Sequence, residues 1–281
     1  MNQNTSPPQP LHLRLQRPGA PTPPFPACRL LILGFAGGAV TSLLPLATAF
    51  ADDIDTWGIE YPGHGMQWQR PLHHTLQPML DDLLESIDVL DDIPLVLLGY
   101  SMGAQLCHRL AQLRPHSIRG LVLLSARPPQ DPDLSRPSRE VGDEELTVRL
   151  QKLGGMPAGV LAHEGLMSLF LPVIRADLAI CAELGHSGIR AARTPLDCPV
   201  LALQGNHDPM LQDTSMHQWL GLAPGLSGRN AFRSYEGGHF FHSGRERQLA
   251  TDIETWIRSH VLSLRVASHQ PPSPQPTAFA P

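Results

Sequence analysis

Leu95-Val96-Leu97-Leu98-Gly99-Tyr100-Ser101-Met102-Gly103-Ala104 is the stretch on which the reading of this chain turns. Its apolar residues, bounded by Pro94 and Gly99, have the length and continuity of a strand buried on both faces. From Ser101 to Arg114 the apolar residues change to helical spacing. Between the two lies Gly-x-Ser-x-Gly, a serine at a strand-to-helix junction with glycine on either side. Such a junction turns sharply and displays the hydroxyl at the carboxyl end of the strand, where open α/β sheets bind ligands. The helix that starts behind it favours negative charge developing there. Ser101 is therefore a candidate nucleophile.

The same alternation extends in both directions. Residues 29–33, 55–61, 120–125, 198–203 and 231–235 read as further short strands. Residues 75–90 carry Leu76, Met79, Leu80, Leu83, Leu84, Ile87 and Leu90 on one helical face, and residues 245–264 repeat the pattern with Leu249, Ile253, Trp256, Ile257 and Val261. Continuous apolar strands alternating with helices predict a mostly parallel sheet covered on both faces. Residues 140–190 break that rhythm with helical spacing alone and read as an inserted lid. The plainer alternative is a set of ordinary crossover helices. Residues 1–27, with eight prolines, and residues 266–281 read as disordered Pro-rich tails, leaving 28–265 as the folded domain.

Composition narrows the function. The 281 residues suffice for one sizeable core, and a net charge of −5 supplies no attraction to nucleic acid or to an anionic membrane. Four scattered cysteines form no C-x-x-C pair, as expected of a reduced, cytoplasmic protein. The 14 histidines include no H-E-x-x-H, so no metal is expected. Residues 29–51 resemble a secretory signal, with an arginine, an apolar run and Ala49-Phe50-Ala51 before Asp52. That reading is set aside because the run is broken by Gly37-Gly38 and Pro45, and cleavage would remove a strand and a glycine turn.

A serine nucleophile needs a base, and the base needs an orienting acid. After the strand at 198–203 comes Gln204-Gly205-Asn206-His207-Asp208-Pro209, which places Asp208 beyond a strand end on the same sheet edge as Ser101. Asp213 is the alternative acid. After the strand at 231–235 comes Glu236-Gly237-Gly238-His239-Phe240-Phe241-His242, and His239 is the candidate base with His242 as the alternative. The order nucleophile, acid, histidine is that of the α/β-hydrolase fold. Acyl transfer also needs an oxyanion hole. The Met102 N–H is one expected donor, and the Ala36 N–H in Gly34-Phe35-Ala36-Gly37-Gly38 is the other.

Together these motifs resemble the type II thioesterases, the stand-alone partners of nonribosomal peptide and polyketide synthases. The resemblance spans roughly residues 29–262. It rests on Leu33-Gly34-Phe35-Ala36-Gly37-Gly38, Glu60-Tyr61-Pro62-Gly63-His64-Gly65, Gly99-Tyr100-Ser101-Met102-Gly103-Ala104 and Gly237-Gly238-His239-Phe240-Phe241. The most specific phrase is Leu153-Gly154-Gly155-Met156-Pro157 followed by Leu171-Pro172-Val173-Ile174-Arg175-Ala176-Asp177. The chain departs from the family at Gly34, where proline is usual, and at His64, where arginine is frequent. The resemblance implies hydrolysis of acyl or aminoacyl groups from the phosphopantetheine arm of acyl or peptidyl carrier proteins, with no cofactor in the enzyme itself. It implies editing of mis-primed or stalled synthases in antibiotic or siderophore biosynthesis. A monomer is expected. The same residues also fit a general serine carboxylesterase, and the same fold can serve a non-catalytic binding protein.

Overall fold

A computed structural model describes residues 11–15, 24–90, 92–131 and 141–265. Its strands are β1 (His12–Arg14), β2 (Cys28–Leu33), β3 (Ile54–Ile59), β4 (Leu95–Tyr100), β5 (Ile118–Leu124), β6 (Val200–Gly205) and β7 (Ala231–Tyr235). They form one sheet in the order β1-β3-β2-β4-β5-β6-β7. Every pairing is parallel except β1 with β3. The helices are α1 (Leu44–Ala47), α2 (Leu76–Leu90), α3 (Met102–Leu113), α4 (Asp143–Leu153), α5 (Ala158–Leu161), α6 (Glu164–Ala191) and α7 (Glu246–Trp256).

Side-chain alternation along the strands divides the core in two. Leu31, Leu33, Leu95, Leu97, Leu121 and Leu123 face one side and pack with Leu80, Leu83 and Ile87 of α2 and Leu106 and Leu110 of α3. Leu30, Ile32, Val96, Leu98, Val122 and Leu124 face the other and pack with Leu46 of α1 and Leu249, Ile253 and Trp256 of α7. This is why the strands read as unbroken apolar runs: both faces are covered. The segment resembling a signal peptide contributes β2, which lies inside the sheet between β3 and β4. The fold is that of an α/β hydrolase, as expected.

Two expectations need correction. The leader is not disordered throughout, because His12, Leu13 and Arg14 pair with Ile59, Gly58 and Trp57, and Leu11 and Leu15 are buried. A three-residue edge strand among prolines carries too little periodicity to be recognised. The last helix also departs from α geometry: after Trp256 it continues as a π turn, Ile257–Val261, that keeps both end residues buried. The tail at 266–281 lies outside the described residues.

The stretch between β5 and β6 is helical, as expected, and α6 is a single helix of 28 residues running through Pro172. Leu146, Met167, Leu171 and Ile174 form a small core of their own, apart from the two that cover the sheet. By length and composition α6 is apolar enough to cross a membrane. Here its Ile180 and Leu184 are buried in the same core as α2 and α3.

Candidate active site

The elbow after β4 follows from two glycines. A Cβ on Gly99 would lie 2.4 Å from the Gly103 carbonyl oxygen, and one on Gly103 would lie 2.2 Å from the Leu33 carbonyl oxygen. The chain can therefore fold back at Ser101 and press the first turn of α3 against the end of β2 only with hydrogen at both positions. Ser101 itself takes φ 54° and ψ −112°, a strained conformation for a residue with a side chain. Its N–H donates to Leu124 O across 2.9 Å, which fixes the turn to β5. The side chain is partly exposed at the carboxyl end of the sheet, and Oγ makes no hydrogen bond among the described residues.

Asp208 and His239 arrive from the ends of β6 and β7, whose loops are stitched together. Asn206 N–H donates to Tyr235 O (2.8 Å), His207 N–H to Gly237 O (2.9 Å), and Gly237 N–H to Asn206 Oδ1 (3.0 Å). The result is a buried pair: His239 Nδ1 stands 2.9 Å from Asp208 Oδ2 and 3.1 Å from Oδ1. Asp208 Oδ1 also accepts the Met210 N–H at 2.9 Å. A carboxylate only accepts, so Nδ1 carries the proton and Nε2 is left as the basic nitrogen. Tyr100 O–H donates to the His239 carbonyl and steadies the loop from below.

Two backbone N–H groups lie just beyond the ends of β2 and β4. Met102 N–H opens α3 and Ala36 N–H lies in the turn after β2, and neither makes a hydrogen bond among the described residues. The Ala36 turn is held at its flanks. Tyr61 O–H donates to Gly34 O (3.0 Å), and the Phe35 ring packs edge-on against Phe240 and Tyr100.

Residues 28–257 match the thioesterase domain family. This chain belongs to that family. Among relatives, the gramicidin S biosynthesis protein GrsT of Aneurinibacillus migulanus is 29% identical over 68% of this chain and 75% of its own length. Thioesterase PikA5 of Streptomyces venezuelae is 25% identical over 89% and 88%. Among solved structures, YbtT, a type II thioesterase from a yersiniabactin pathway, superposes with a TM-score of 0.73 at 23% identity, over 89% of this chain and 99% of that one. The resemblance drawn from the sequence motifs holds at the level of family and fold.

The rival residues of the thioesterase are engaged elsewhere. Asp213 pairs with Arg127 at 2.8 Å, and its side chain is largely exposed. His242 Nδ1 meets Tyr100 Oη at 3.2 Å, and burial, the largest influence, lowers its imidazole below the ordinary histidine value.

The inserted helices of the thioesterase reach the site at two places. The Phe240 ring sits against Gly155, in the connection from α4 to α5. Asp177 of α6 accepts the Gly37 N–H at 2.6 Å and stands 2.9 Å from His64 Nε2, with both side chains buried. Neither Asp177 nor His64 stood out as a site residue in the sequence: Asp177 falls inside a helix, and His64, although it lies in the loop after β3, belongs to no nucleophile, acid or base motif. Their occurrence within two family motifs was the available signal.

Proposed function

We propose that this thioesterase is a type II enzyme of nonribosomal peptide or polyketide biosynthesis. It would hydrolyse acyl or aminoacyl groups from the phosphopantetheine arm of a carrier protein and so clear mis-primed or stalled synthases. The observation that carries the reading is the convergence at one sheet edge of the Ser101 elbow and the buried Asp208–His239 pair, in a chain of the thioesterase family. The carrier-protein partner rests on the relatives, two of which are a gramicidin S biosynthesis protein and a thioesterase in yersiniabactin assembly.

In this mechanism His239 Nε2 takes the proton of Ser101 Oγ as the oxygen attacks the thioester carbonyl. The oxyanion is held by the N–H groups of Met102 and Ala36. The pantetheine thiolate leaves with the proton from His239, and an ester bond joins the acyl group to Ser101. Water, deprotonated by His239, then attacks the ester, and the acid and free Ser101 are released. Asp208 holds the imidazole in its Nδ1–H tautomer and offsets the positive charge that forms. No metal or cofactor enters these steps. Helices α4–α6 act as the lid through which the arm passes, and the enzyme works in the cytoplasm as a monomer.

Release of acetyl from an acetyl-phosphopantetheinyl carrier protein, compared between wild type and Ser101→Ala, tests the reading. Serine-dependent turnover is expected, with the variant lower by roughly 10⁴-fold or more. A wild type that ignores the loaded carrier but cleaves simple oxygen esters would make the chain a carboxylesterase. Folded protein inert to both, and unlabelled by a fluorophosphonate, would make it a binding protein.

A further inference from the structure

We propose that His64 is a positioning residue: locked as a doubly donating cation between Pro62 and Asp177, it fixes the loop that carries the Ala36 N–H. The proposal rests on the oxyanion-hole assignment above.

Both ring nitrogens of His64 face acceptors. Nδ1 is 3.0 Å from the Pro62 carbonyl oxygen, and Nε2 is 2.9 Å from Asp177 Oδ2. A neutral imidazole has one N–H and leaves one contact as acceptor against acceptor, whereas the imidazolium satisfies both. The same Asp177 oxygen accepts the Gly37 N–H at 2.6 Å. Gly37 directly follows Ala36, so the carboxylate binds the turn just beyond the oxyanion donor. The turn cannot back away with a side chain there: Gly37 has φ +74°, and a Cβ would lie 2.4 Å from Ile174 Cγ1 of α6. One charged pair thus ties the loop after β3, the helix α6 and the loop after β2 to one another.

The surroundings are consistent with a single buried cation. Burial, the largest influence on His64, pushes its pKa down. The hydrogen bond and charge of Asp177, the Pro62 carbonyl and the charge of Glu60 outweigh it, and the net direction is up. Burial raises the other titratable groups on the elements around the pair. Tyr61, whose ring meets His64 edge-on at 5.6 Å, is raised, as is Cys107 of α3, and Cys181 of α6 is pushed up to about 12. Burial also raises the Glu60 carboxyl. Because the folded pKa of His64 is raised, its contribution is complete below the unfolded value and is lost as pH rises through the folded one.

The test is a pH–rate profile on the acetyl-loaded carrier between about pH 6 and pH 10, corrected for spontaneous thioester hydrolysis. Wild-type kcat is expected to fall on the alkaline side by about 10-fold or more, and His64→Arg, whose cation does not titrate there, to lose that limb. His64→Gln, with one donor arm, should lower kcat about 10- to 100-fold with a much smaller change in KM. An alkaline limb that is absent from wild type, or that persists unchanged in His64→Arg, overturns the proposal. Where His64→Arg fails to fold, NMR of the wild-type imidazole, assigned by its loss in His64→Gln, decides. A doubly protonated ring near neutral pH is expected, and a neutral one overturns the proposal. Ser101→Ala on the same substrate separates the two levels: absence of serine-dependent turnover sinks the proposed function, and the imidazole titration then judges the clamp alone.

Discussion

His239 and His64 each face a buried aspartate at 2.9 Å, and each side chain is only 2% exposed. They differ in what the second ring nitrogen meets. In His239 no hydrogen bond among the described residues occupies Nε2, whereas in His64 both nitrogens are held. One imidazole is oriented by its aspartate and left able to take a proton, and the other is saturated. The difference comes from the chain's route. His239 sits on a loop beyond β7, and its partner enters from the neighbouring β6 loop and meets Nδ1 alone. His64 lies in a tight turn under α6, with its own Pro62 carbonyl on one side and Asp177 on the other. A short His–Asp distance therefore does not by itself mark a catalytic base.

The largest effect that would sharpen this contrast is Asp208→Asn. An amide of the same shape stabilises the wrong tautomer of His239, and kcat should fall about 10⁴-fold while the melting temperature moves little. A loss under ten-fold in purified, folded enzyme would remove Asp208 from its role and return Asp213 to consideration. Asp177→Ala should behave in the reverse order, with stability failing first. It leaves a buried cation unpaired and the Gly37 N–H unsatisfied, at a cost of about 3–5 kcal/mol. In denaturant melts the double change His64→Leu with Asp177→Leu should cost less than Asp177→Ala, because no charge is stranded. A double variant less stable than the single one would show that His64 is not charged in the folded state.

Gly103→Ala ranks next. Its Cβ meets backbone oxygens of Leu33 and Gly34, which cannot rotate away, so a loss of about 1–3 kcal/mol is expected, together with most of the activity. Full activity in that variant would mean that α3 can shift without moving the Met102 N–H.

These elements were not equally legible in the sequence. Strands β2, β4, β5 and β6 announce themselves because both their faces are buried, so their apolar runs are continuous. Ser101, Asp208 and His239 each follow a strand end directly, and position along one strand is a local property that spacing records. The edge strand His12–Arg14 was missed because its three residues are only half-buried and sit next to prolines. The His64–Asp177 contact joins positions 113 residues apart, and no periodicity links them. Asp177 falls on the buried face of α6 among apolar neighbours such as Ile174 and Ile180, where a carboxylate reads as an interruption until its partners are seen.

The smallest expected effect belongs to a pair with better geometry than either histidine site. Arg114 donates through Nε and an Nη to both oxygens of Asp88, at 2.8 and 2.9 Å. Its side chain is 35% exposed and that of Asp88 50%, so water solvates both partners when they separate and screens them when they meet. Arg114→Ala should cost under about 1 kcal/mol in denaturant melts and leave the pH–rate profile unchanged. The ranking follows from burial rather than from distance. Asp177 has no solvent to fall back on when its partner is removed, and Asp88 does. A loss at Arg114 approaching that of Asp177→Ala would mean that bidentate geometry outweighs desolvation here, and the contrast drawn between the buried and exposed pairs would then fail.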